Sequence, residues 1–330
     1  MTPALPELLF AMTLVSGESA RAGSTPVARE VRLVMGTTAE VEASGPAEPS
    51  LALAAAFAAL TRVDDALSLW KPSELQRLND AGEGHPSREL RAVLESALEI
   101  AAASGGAFDP TVEPLVRARG GLGTAPLSLS PDERASLLAR VGYQKVHLDS
   151  DSGRVRLESG TRLDFGGIAK GYAADLALAA LRSAGADTGF VSLGESNLGL
   201  FGKGIDLEVR DPEAHDGERG QPWAIFRVEG GAVSSSASDQ KSAHILDPRT
   251  GEPAGGLLSS TVVTATGIEA DALSTAVFVL GADAGLRLLE QRGAAGFVLL
   301  RESGLRVVRV TKGFARKYAL ELAPGVSLRE

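Results

Sequence analysis

Residues 163–175, which read LDFGGIAKGYAAD, decide the fold of this chain. A short apolar run, a Gly166-Gly167 pair and a helical pattern follow one another directly, which predicts a strand, a tight turn and the start of a helix. The glycines let a ligand approach the backbone closely, and the first turn of a helix offers unpaired N–H groups and a positive dipole end. Lys170 adds a cation one turn into the helix, and Asp164 adds an anion before the turn. The segment is either a phosphate-binding turn or an ordinary strand-to-helix connection with a surface lysine.

The composition is that of a globular protein. The chain has 330 residues, of which 44% are hydrophobic and 23% are charged. A chain of this length can bury a large hydrophobic core. The formal net charge of −9 argues against a nucleic-acid partner, because phosphate backbones are bound by basic surfaces. The absence of cysteine excludes disulfides, thiolate nucleophiles and cysteine-bound metals. We therefore expect an anionic ligand to be met by helix ends or by a metal ion.

The first 28 residues predict a leader that precedes the domain. An apolar stretch over residues 8–15 is followed by small residues before Arg21, which loosely resembles a signal peptide, but Glu7 stands where a basic residue is expected. An export signal would place the protein in the periplasm or cell envelope, and a disordered leader would suit a cytoplasmic protein. No run approaches the ~18–20 apolar residues of a membrane span. We expect residues 29–330 to form one domain without a stable membrane span.

Helical and strand patterns alternate irregularly along the rest of the chain. This favours an α+β fold, a single large domain of mixed and antiparallel sheets with flanking helices. Capping boxes at Ser130 and Thr266 each predict the start of a helix. Further helices are predicted over residues 51–69, 88–103 and 168–184, and hairpins over residues 31–43, 146–157 and 297–310.

The helix that is predicted over residues 269–280 is apolar on nearly every side but carries one polar face. Asp271 and Thr275 stand at i and i+4, which places a carboxylate and a hydroxyl on that face. A buried carboxylate is costly unless it is paired or coordinates a cation. One interpretation is a hydrogen-bonded aspartate, with the threonine bonding back to a helix carbonyl. The other is a hard-cation site, because carboxylate, hydroxyl and backbone oxygens suit Mg²⁺.

Two other segments are ambiguous by themselves. His244 is one of four histidines and precedes a turn in which Pro248 fixes the first central position, but a lone histidine is more often structural than catalytic. Residues 104–111, SGGAFDPT, read as a helix end and a turn. The glycine-rich motifs of dinucleotide-binding proteins and P-loop enzymes, the serine-hydrolase elbow and the zinc-protease motif do not occur.

Seven segments of the chain form an ordered set. They are MGTT at 35–38, SLWKPSEL at 68–75, SGGAFDPTVEPLV at 104–116, LDFGGIAKGYAAD at 163–175, VSLGESNLGLFG at 191–202, HILDPRTGEPAG at 244–255 and EADALSTAVFVLG at 269–281. In these segments, over about residues 31–281, the chain resembles the ApbE-type FAD:protein FMN transferases.

The resemblance implies a reaction and a set of site residues. The implied reaction is Mg²⁺-dependent transfer of the FMN moiety of FAD to a Thr or Ser hydroxyl of an acceptor protein, with release of AMP. Asp271, Thr275 and the carbonyl of Gly167 match the metal ligands of the family, and His244 matches a histidine suspected of acid–base catalysis. The positions that match family contacts to FAD are Met35, Trp70, Ala107, Phe108, Asp109, Asp164, Lys170 and Ile245. Trp70 would be the aromatic partner of a flat ring, or else a packing residue at a helix end.

The chain departs from the family pattern at two places. Glu195 stands where a second glycine is common, and residues 233–241, VSSSASDQK, shorten a segment that contains T-S-G before the histidine. If this segment no longer holds an acceptor peptide, the same site could hydrolyse FAD to FMN and AMP. A non-catalytic flavin-binding protein is the third alternative. The leading hypothesis is the flavin transferase.

Overall fold

The computed structural model of this chain describes residues 12–14, 27–45, 48–125, 127–194, 196–213, 222–237 and 245–329. The helices within these ranges are α1 Pro49–Leu67, α2 Glu74–Ala81, α3 Arg88–Ala103, α4 Glu113–Ala118, α5 Pro131–Leu138, α6 Ala169–Ser183, α7 Gly267–Leu280, α8 Ala282–Arg292 and α9 Lys312–Lys317, with a 3₁₀ turn at Tyr143–Lys145. The helices predicted over residues 51–69, 88–103 and 168–184 correspond to α1, α3 and α6, with ends that agree within two residues.

The strands form three sheets. They are β1 Met12–Leu14, β2 Val27–Val34, β3 Thr37–Ser44, β4 Glu83–Gly84, β5 Val146–Leu148, β6 Val155–Leu157, β7 Thr188–Leu193, β8 Asn197–Phe201, β9 Ile205–Val209, β10 Ala224–Val228, β11 Gly231–Ala237, β12 Ser259–Thr264, β13 Ala295–Glu302, β14 Leu305–Val310, β15 Leu320–Leu322 and β16 Val326–Arg329. The largest sheet has the order β16-β14-β13-β12-β11-β8-β7-β3-β2, and the smaller sheets have the orders β1-β9-β10-β15 and β4-β6-β5. Within the largest sheet only the β14–β16 pair is parallel. The predicted α+β fold with mixed sheets and flanking helices is confirmed, as are the three predicted hairpins.

The main core lies between the helices and one face of the nine-stranded sheet. Phe57 of α1, Leu94 of α3, Leu178 of α6 and Leu273 of α7 are buried together against strand residues such as Val191. Burying such side chains contributes roughly 1.5–3 kcal/mol each, which fixes α6 and α7 on the sheet. These two helices carry the motifs that the sequence singled out.

A second core lies between the other face of the nine-stranded sheet and the four-stranded sheet. Its aromatic rings meet edge to face: Phe297 lies 5.6 Å from Trp223 and 5.5 Å from Phe226, measured between ring centroids. Phe314 of α9 closes the cluster at 4.9 Å from Phe297. Edge-to-face packing is favourable for aromatic pairs, so these contacts stabilise the packing of the four-stranded sheet against the nine-stranded sheet.

Residues 163–165 do not form the predicted strand. These residues have no regular secondary structure and lie outside every sheet. Asn79 accepts from the Leu163 N–H at 2.7 Å and donates to the Leu163 carbonyl at 2.8 Å, while the Asp164 N–H donates to the Pro110 carbonyl at 2.7 Å. Side chains and loop carbonyls therefore satisfy backbone groups that a strand partner would otherwise satisfy. The prediction was wrong because an apolar run shows burial and not the hydrogen-bond partner.

Of the two predicted capping boxes, one forms. At Ser130 the hydroxyl accepts from the Glu133 N–H, and the Glu133 carboxylate accepts from the Ser130 N–H at 2.8 Å. At Thr266, the residue before α7, the side chain makes no capping hydrogen bond. The prediction there was wrong because Asp175 of α6 takes that role, with its carboxylate oxygens accepting from the Gly267 N–H at 2.6 Å and the Ile268 N–H at 2.9 Å.

Most of the predicted leader lies outside the described residues. Met12–Leu14 pair with β9, and Val27 already belongs to β2. The division into a leader over residues 1–28 and a domain over residues 29–330 stays a prediction. Among the described helices, none combines the length and the hydropathy that a membrane-spanning helix requires.

Candidate active site

One cavity of about 440 Å³ brings together candidate residues that are widely separated in the sequence. It lies between the start of α6, the middle of α7, the end of β11 and the turn that joins β2 to β3. Eleven of the twelve predicted site residues line it: Met35, Trp70, Ala107, Phe108, Asp109, Asp164, Gly167, Lys170, Ile245, Asp271 and Thr275. The twelfth, His244, lies outside the described residues, as does Glu195. Ile245, directly after the histidine, is at the cavity wall.

Helices α6 and α7 cross at a contact between two glycines. A Cβ atom added to Gly171 would lie 2.0 Å from the Gly267 carbonyl oxygen, and one added to Gly267 would lie 2.4 Å from the Gly171 oxygen. The backbones can approach this closely only because neither residue has a side chain. The Gly171 N–H donates to Asp271 Oδ2 at 3.0 Å, and the Asp175 carboxylate holds the first turn of α7 on the other side. The crossing thus fixes where the polar face of α7 stands relative to the start of α6.

The polar face of α7 and the Gly-Gly turn together form one half of the cavity. Asp271 is 4% exposed, and its carboxylate faces the start of α6. A Cβ atom on Gly167 would lie 3.2 Å from Thr275 Oγ1 and 3.3 Å from the Phe108 ring, so the Gly167 backbone runs beside the threonine hydroxyl. The Thr275 hydroxyl approaches the Asp271 carbonyl at 3.4 Å, a long and weak version of the back-bond that the sequence left open.

The chemistry of these donors fits a hard cation. Carboxylate, hydroxyl and backbone carbonyl are the oxygens that Mg²⁺ accepts, and no thiolate or imidazole competes among them. Throughout the described ranges, no three His, Cys, Asp or Glu side chains stand close enough to hold a metal by themselves. A cation here would depend on Asp271, on neutral oxygens and on the phosphates of a ligand, which is the usual way that Mg²⁺ is held at phosphate sites.

Asp164 and Lys170 also line the cavity, beside the Gly-Gly turn. Asp164 Oδ1 accepts from the Gly166 N–H at 2.6 Å, and Lys170 Nζ donates to the Gly166 carbonyl at 3.2 Å. The pKa of Asp164 is raised, mainly because the carboxyl group is buried. The negative charge of Glu113 also raises this pKa, whereas the hydrogen bond from the Gly166 N–H lowers it. Both side chains brace the turn while they remain half-buried at the cavity wall.

Asp109 lines the cavity, but its carboxylate is already used by the protein. Oδ1 accepts from the Thr111 N–H at 2.9 Å and from the Thr111 hydroxyl at 2.6 Å, and Oδ2 accepts from the Tyr143 N–H at 2.7 Å. Burial raises the pKa of Asp109, although these hydrogen bonds favour the ionised form. The side chain therefore holds the loop that carries Ala107 and Phe108.

The mouth of the cavity carries an exposed aromatic ring. Trp70, in the loop after α1, is 69% exposed, so it is not the packing residue at a helix end that the sequence allowed. Met35 and Gly36 form the turn between β2 and β3 with left-handed φ angles of 56° and 72° and line the same cavity. An exposed ring beside a concave surface is well placed to stack on a flat ligand.

Several residues at the site were not singled out from the sequence. Asp175 caps α7 from α6, Asn79 holds the strand-like segment before the turn, and Ser236 of β11 lines the cavity beside Thr275. Asp175 is the last residue of the 163–175 motif, so its position was visible, although its partners lie 92 and 93 residues away.

The predicted turn at Pro248 is confirmed by a hydrogen bond of 3.2 Å from the Thr250 N–H to the Asp247 carbonyl.

The chain thus has an α+β fold with a cavity whose lining residues offer carboxylate, hydroxyl and backbone oxygens. Comparison with known proteins gives the family: the ApbE family model matches residues 35–298. A FAD:protein FMN transferase of Klebsiella pneumoniae (strain 342) is 31% identical over 322 residues, covering 89% of this chain and 91% of that protein. The FAD:protein FMN transferase of Treponema pallidum (strain Nichols) is 31% identical over 294 residues, covering 78% of this chain and 80% of that protein. This chain belongs to the ApbE family.

Solved structures agree with this assignment. The ApbE protein of Thermotoga maritima is similar with a TM-score of 0.79 at 29% identity, over 88% of this chain and 99% of that one. The apo form of the flavinyl transferase ApbE of Pseudomonas stutzeri is similar with a TM-score of 0.76 at 28% identity, over 90% of this chain and 98% of that one. The similarity therefore extends over most of the chain and not only over the motifs.

Proposed function

We propose that this chain transfers the FMN moiety of FAD to a Thr or Ser hydroxyl of an acceptor protein and releases AMP. The observation that carries the proposal is the convergence of Gly167, Asp271 and Thr275 on one wall of a cavity whose other walls carry the candidate flavin contacts. Several relatives in the same family are named FAD:protein FMN transferases, which supports the same reaction here.

The proposed metal ligands are the Asp271 carboxylate, the Thr275 hydroxyl and the Gly167 carbonyl. When bound, Mg²⁺ supplies positive charge that stabilises the phosphoryl oxygens as the pyrophosphate bond breaks. The two glycines at the turn let the pyrophosphate approach the backbone, and Lys170 contributes a cation beside it. Asp164 braces the turn through the Gly166 N–H, which keeps these groups fixed before the reaction begins.

In the proposed reaction the acceptor hydroxyl oxygen attacks the phosphorus on the FMN side of the pyrophosphate. The phosphorus–oxygen bond to AMP breaks, AMP leaves with the bridging oxygen, and a phosphoester joins FMN to the acceptor. Little covalent chemistry is required of the protein, so in-line positioning of the two oxygens is its main task. We propose that His244 accepts the hydroxyl proton.

The decisive experiment uses the purified full chain with FAD, Mg²⁺ and a candidate acceptor flavoprotein. The expected result is AMP together with an FMN-sized mass increase on the acceptor, both lost when the metal is chelated. AMP and free FMN without an acceptor would instead assign the FAD pyrophosphatase activity. Bound FAD with no AMP, unaffected by chelation, would assign a non-catalytic flavin-binding protein. Either result would contradict the proposed transferase activity.

His244→Ala is expected to lower kcat by about 10²–10⁴-fold, the usual contribution of a positioned general base. The rate should also lose the dependence on pH that the imidazole imposes, because ionisation of that ring would no longer control the step. The measurement is kcat against pH in both proteins. His147→Ala, which removes an exposed histidine of β5 that does not line the cavity, is the control. An unchanged profile in His244→Ala would mean that another group accepts the proton.

Trp70→Ala is expected to raise the KM for FAD about tenfold, because an aromatic stacking contact is worth about 0.5–1.5 kcal/mol beyond the area it buries. The free energy of unfolding should change by less than about 0.5 kcal/mol, since the side chain is exposed. Steady-state kinetics and chemical denaturation measure the two quantities. Leu51→Ala removes another exposed apolar side chain away from the cavity and should leave the KM unchanged.

The proposed reaction implies a protein partner, and the N-terminal sequence bears on the location. The acceptor is a flavoprotein with a Thr or Ser flavinylation site, and the net charge of −9 speaks against nucleic acid as a partner. We propose a periplasmic or cell-envelope location on the basis of the apolar stretch at residues 8–15, with the cytoplasm as the alternative. Sequencing the N-terminus of the mature protein by mass spectrometry separates the two.

A further inference from the structure

A cluster of serine hydroxyls lies behind the proposed cation site. Ser274 of α7 is fully buried, and its Oγ stands 2.9 Å from the Asp271 carbonyl oxygen, 2.9 Å from Ser236 Oγ and 3.2 Å from Ser234 Oγ. Ser234 and Ser236 are on β11, two residues apart, so both side chains point from the sheet to α7. The cluster connects the strand to the helix that carries Asp271 and Thr275.

The direction of these hydrogen bonds follows from counting donors. A serine hydroxyl has one hydrogen and two lone pairs, whereas a carbonyl oxygen can only accept. The Ser274 hydrogen is therefore committed to the Asp271 carbonyl, and its two lone pairs accept from Ser234 and Ser236. This arrangement satisfies every hydrogen-bonding position of a buried hydroxyl, which is the favoured outcome in a protein interior.

The consequence differs for the two outer serines. Ser234 is 1% exposed and away from the cavity, whereas Ser236 is half-buried and lines it. Because Ser236 has given its only hydrogen to Ser274, it presents lone pairs to the cavity. Ser236 Oγ lies 3.5 Å from Thr275 Oγ1, the hydroxyl proposed to bind the cation. Oxygens in adjacent positions of an octahedral Mg²⁺ shell, with bonds of ~2.1 Å, stand about 3 Å apart.

We propose that Ser236 Oγ is a further oxygen ligand of the cation, beside Asp271, Thr275 and the Gly167 carbonyl. The inference rests on the proposed function, because it concerns the same metal. It assigns a ligand role to the shortened VSSSAS segment, which the sequence had left as a departure from the family pattern. A hydroxyl that can only accept on the cavity side is suited to a cation and unsuited to donating a hydrogen bond to a phosphate.

The first test compares Ser236→Ala with Ser234→Ala. Each variant removes one hydrogen bond to Ser274 Oγ, but only Ser236→Ala removes an oxygen from the cavity. Binding of Mn²⁺ to the full-length proteins, with and without FAD, is measured from the electron paramagnetic resonance signal of the free ion. Ser236→Ala is expected to bind Mn²⁺ at least about tenfold more weakly than the wild type, the effect typical of losing a group at a metal site. Ser234→Ala should stay within about twofold, because Ser234 contacts Ser274 and none of the proposed ligands, so it lies beyond the outer-shell partners whose loss weakens metal binding.

Three results of this test would overturn the inference. Equal Mn²⁺ affinity in Ser236→Ala and wild type would show that the oxygen is not a ligand. Equal weakening in both variants would show that only the packing of Ser274 matters. In either case a wild-type protein that still binds Mn²⁺ and releases AMP leaves the proposed function standing. Failure of the wild type to bind Mn²⁺ would remove the cation site altogether, and the proposed function with it.

The second test uses the absence of cysteine from this chain. Ser236→Cys would place the only thiol of the protein at the cation site, and a soft thiolate prefers Cd²⁺ to Mg²⁺. Titration with Cd²⁺ should then produce a thiolate-to-cadmium absorption band in the ultraviolet and raise the affinity for Cd²⁺ relative to the wild type. Ser234→Cys, with its thiol behind the site, should show neither change. A Ser236→Cys protein that resembles Ser234→Cys contradicts direct coordination.

Discussion

Asp271→Ala should reduce Mg²⁺-dependent release of AMP by about 10³-fold or more, because a metal contributes several kcal/mol of charge stabilisation in phosphoryl transfer and each 1.36 kcal/mol is a factor of ten. Asp271 is the only carboxylate among the proposed ligands, so its loss would remove the one negative charge that those ligands supply to the cation. The measurement is AMP formation from FAD at a series of Mg²⁺ concentrations, together with Mn²⁺ binding.

Alanine at this position has a second effect that a control must separate. The Asp271 carboxylate also accepts from the buried Gly171 N–H, and leaving that donor unsatisfied costs about 1–3 kcal/mol of folding free energy. Asp271→Asn keeps the size and one acceptor oxygen but loses the charge, so its thermal melting should stay close to that of the wild type. Its metal binding and turnover should still fall. Wild-type turnover in a folded Asp271 variant would remove this residue from the metal site.

Gly171→Ala is expected to destabilise the protein by about 3 kcal/mol or more, at the upper end of the effect of overpacking. The added Cβ would lie 2.0 Å from the Gly267 carbonyl oxygen and 2.8 Å from the Asp271 Cβ, so α6 and α7 would have to separate. Alanine otherwise favours a helix by about 1 kcal/mol over glycine, and the clash must overcome that gain. Chemical denaturation and Mn²⁺ binding should both report the loss.

Gly255→Ala provides the matched control for the glycine contact. No atom lies within 4 Å of a Cβ added at that position, so the free energy of unfolding should change by less than about 0.5 kcal/mol. If Gly171→Ala were as stable as Gly255→Ala, the close crossing of the two helices would not be the feature that fixes the cation site.

Local patterns predicted much of the fold, and distant partners account for the errors. The capping box at Ser130 formed because all of its groups lie within four residues. The box at Thr266 did not form, because Asp175 supplies its carboxylate from a helix more than 90 residues earlier. The run at 163–165 is buried as its apolarity indicates, yet Asn79 and Pro110 hold it where a strand was expected. Periodicity reports burial, whereas the hydrogen-bond partner depends on tertiary packing.

The candidate site also contains residues that the sequence predicted and residues that it could not predict. The segments that resemble the family meet at one cavity, as their common function would require. Asp109 shows the limit of this reasoning: its position matched a ligand contact, but its carboxylate is bonded to Thr111 and Tyr143 of its own chain. Ser236 shows the opposite limit, because a run of serines carries no periodic or motif signal and only the geometry of β11 against α7 brings one of them beside Thr275.

The cap that Asp175 provides makes the start of α7 depend on its docking against α6. The Thr266 side chain makes no capping hydrogen bond at the start of α7. The carboxylate that accepts from the first N–H groups of α7 belongs to α6, so this cap forms only when the two helices are docked. The same docking places Gly171 beside Asp271 and Gly167 beside Thr275. A chain in which these two helices have not docked would therefore lack the arrangement that we propose holds the cation.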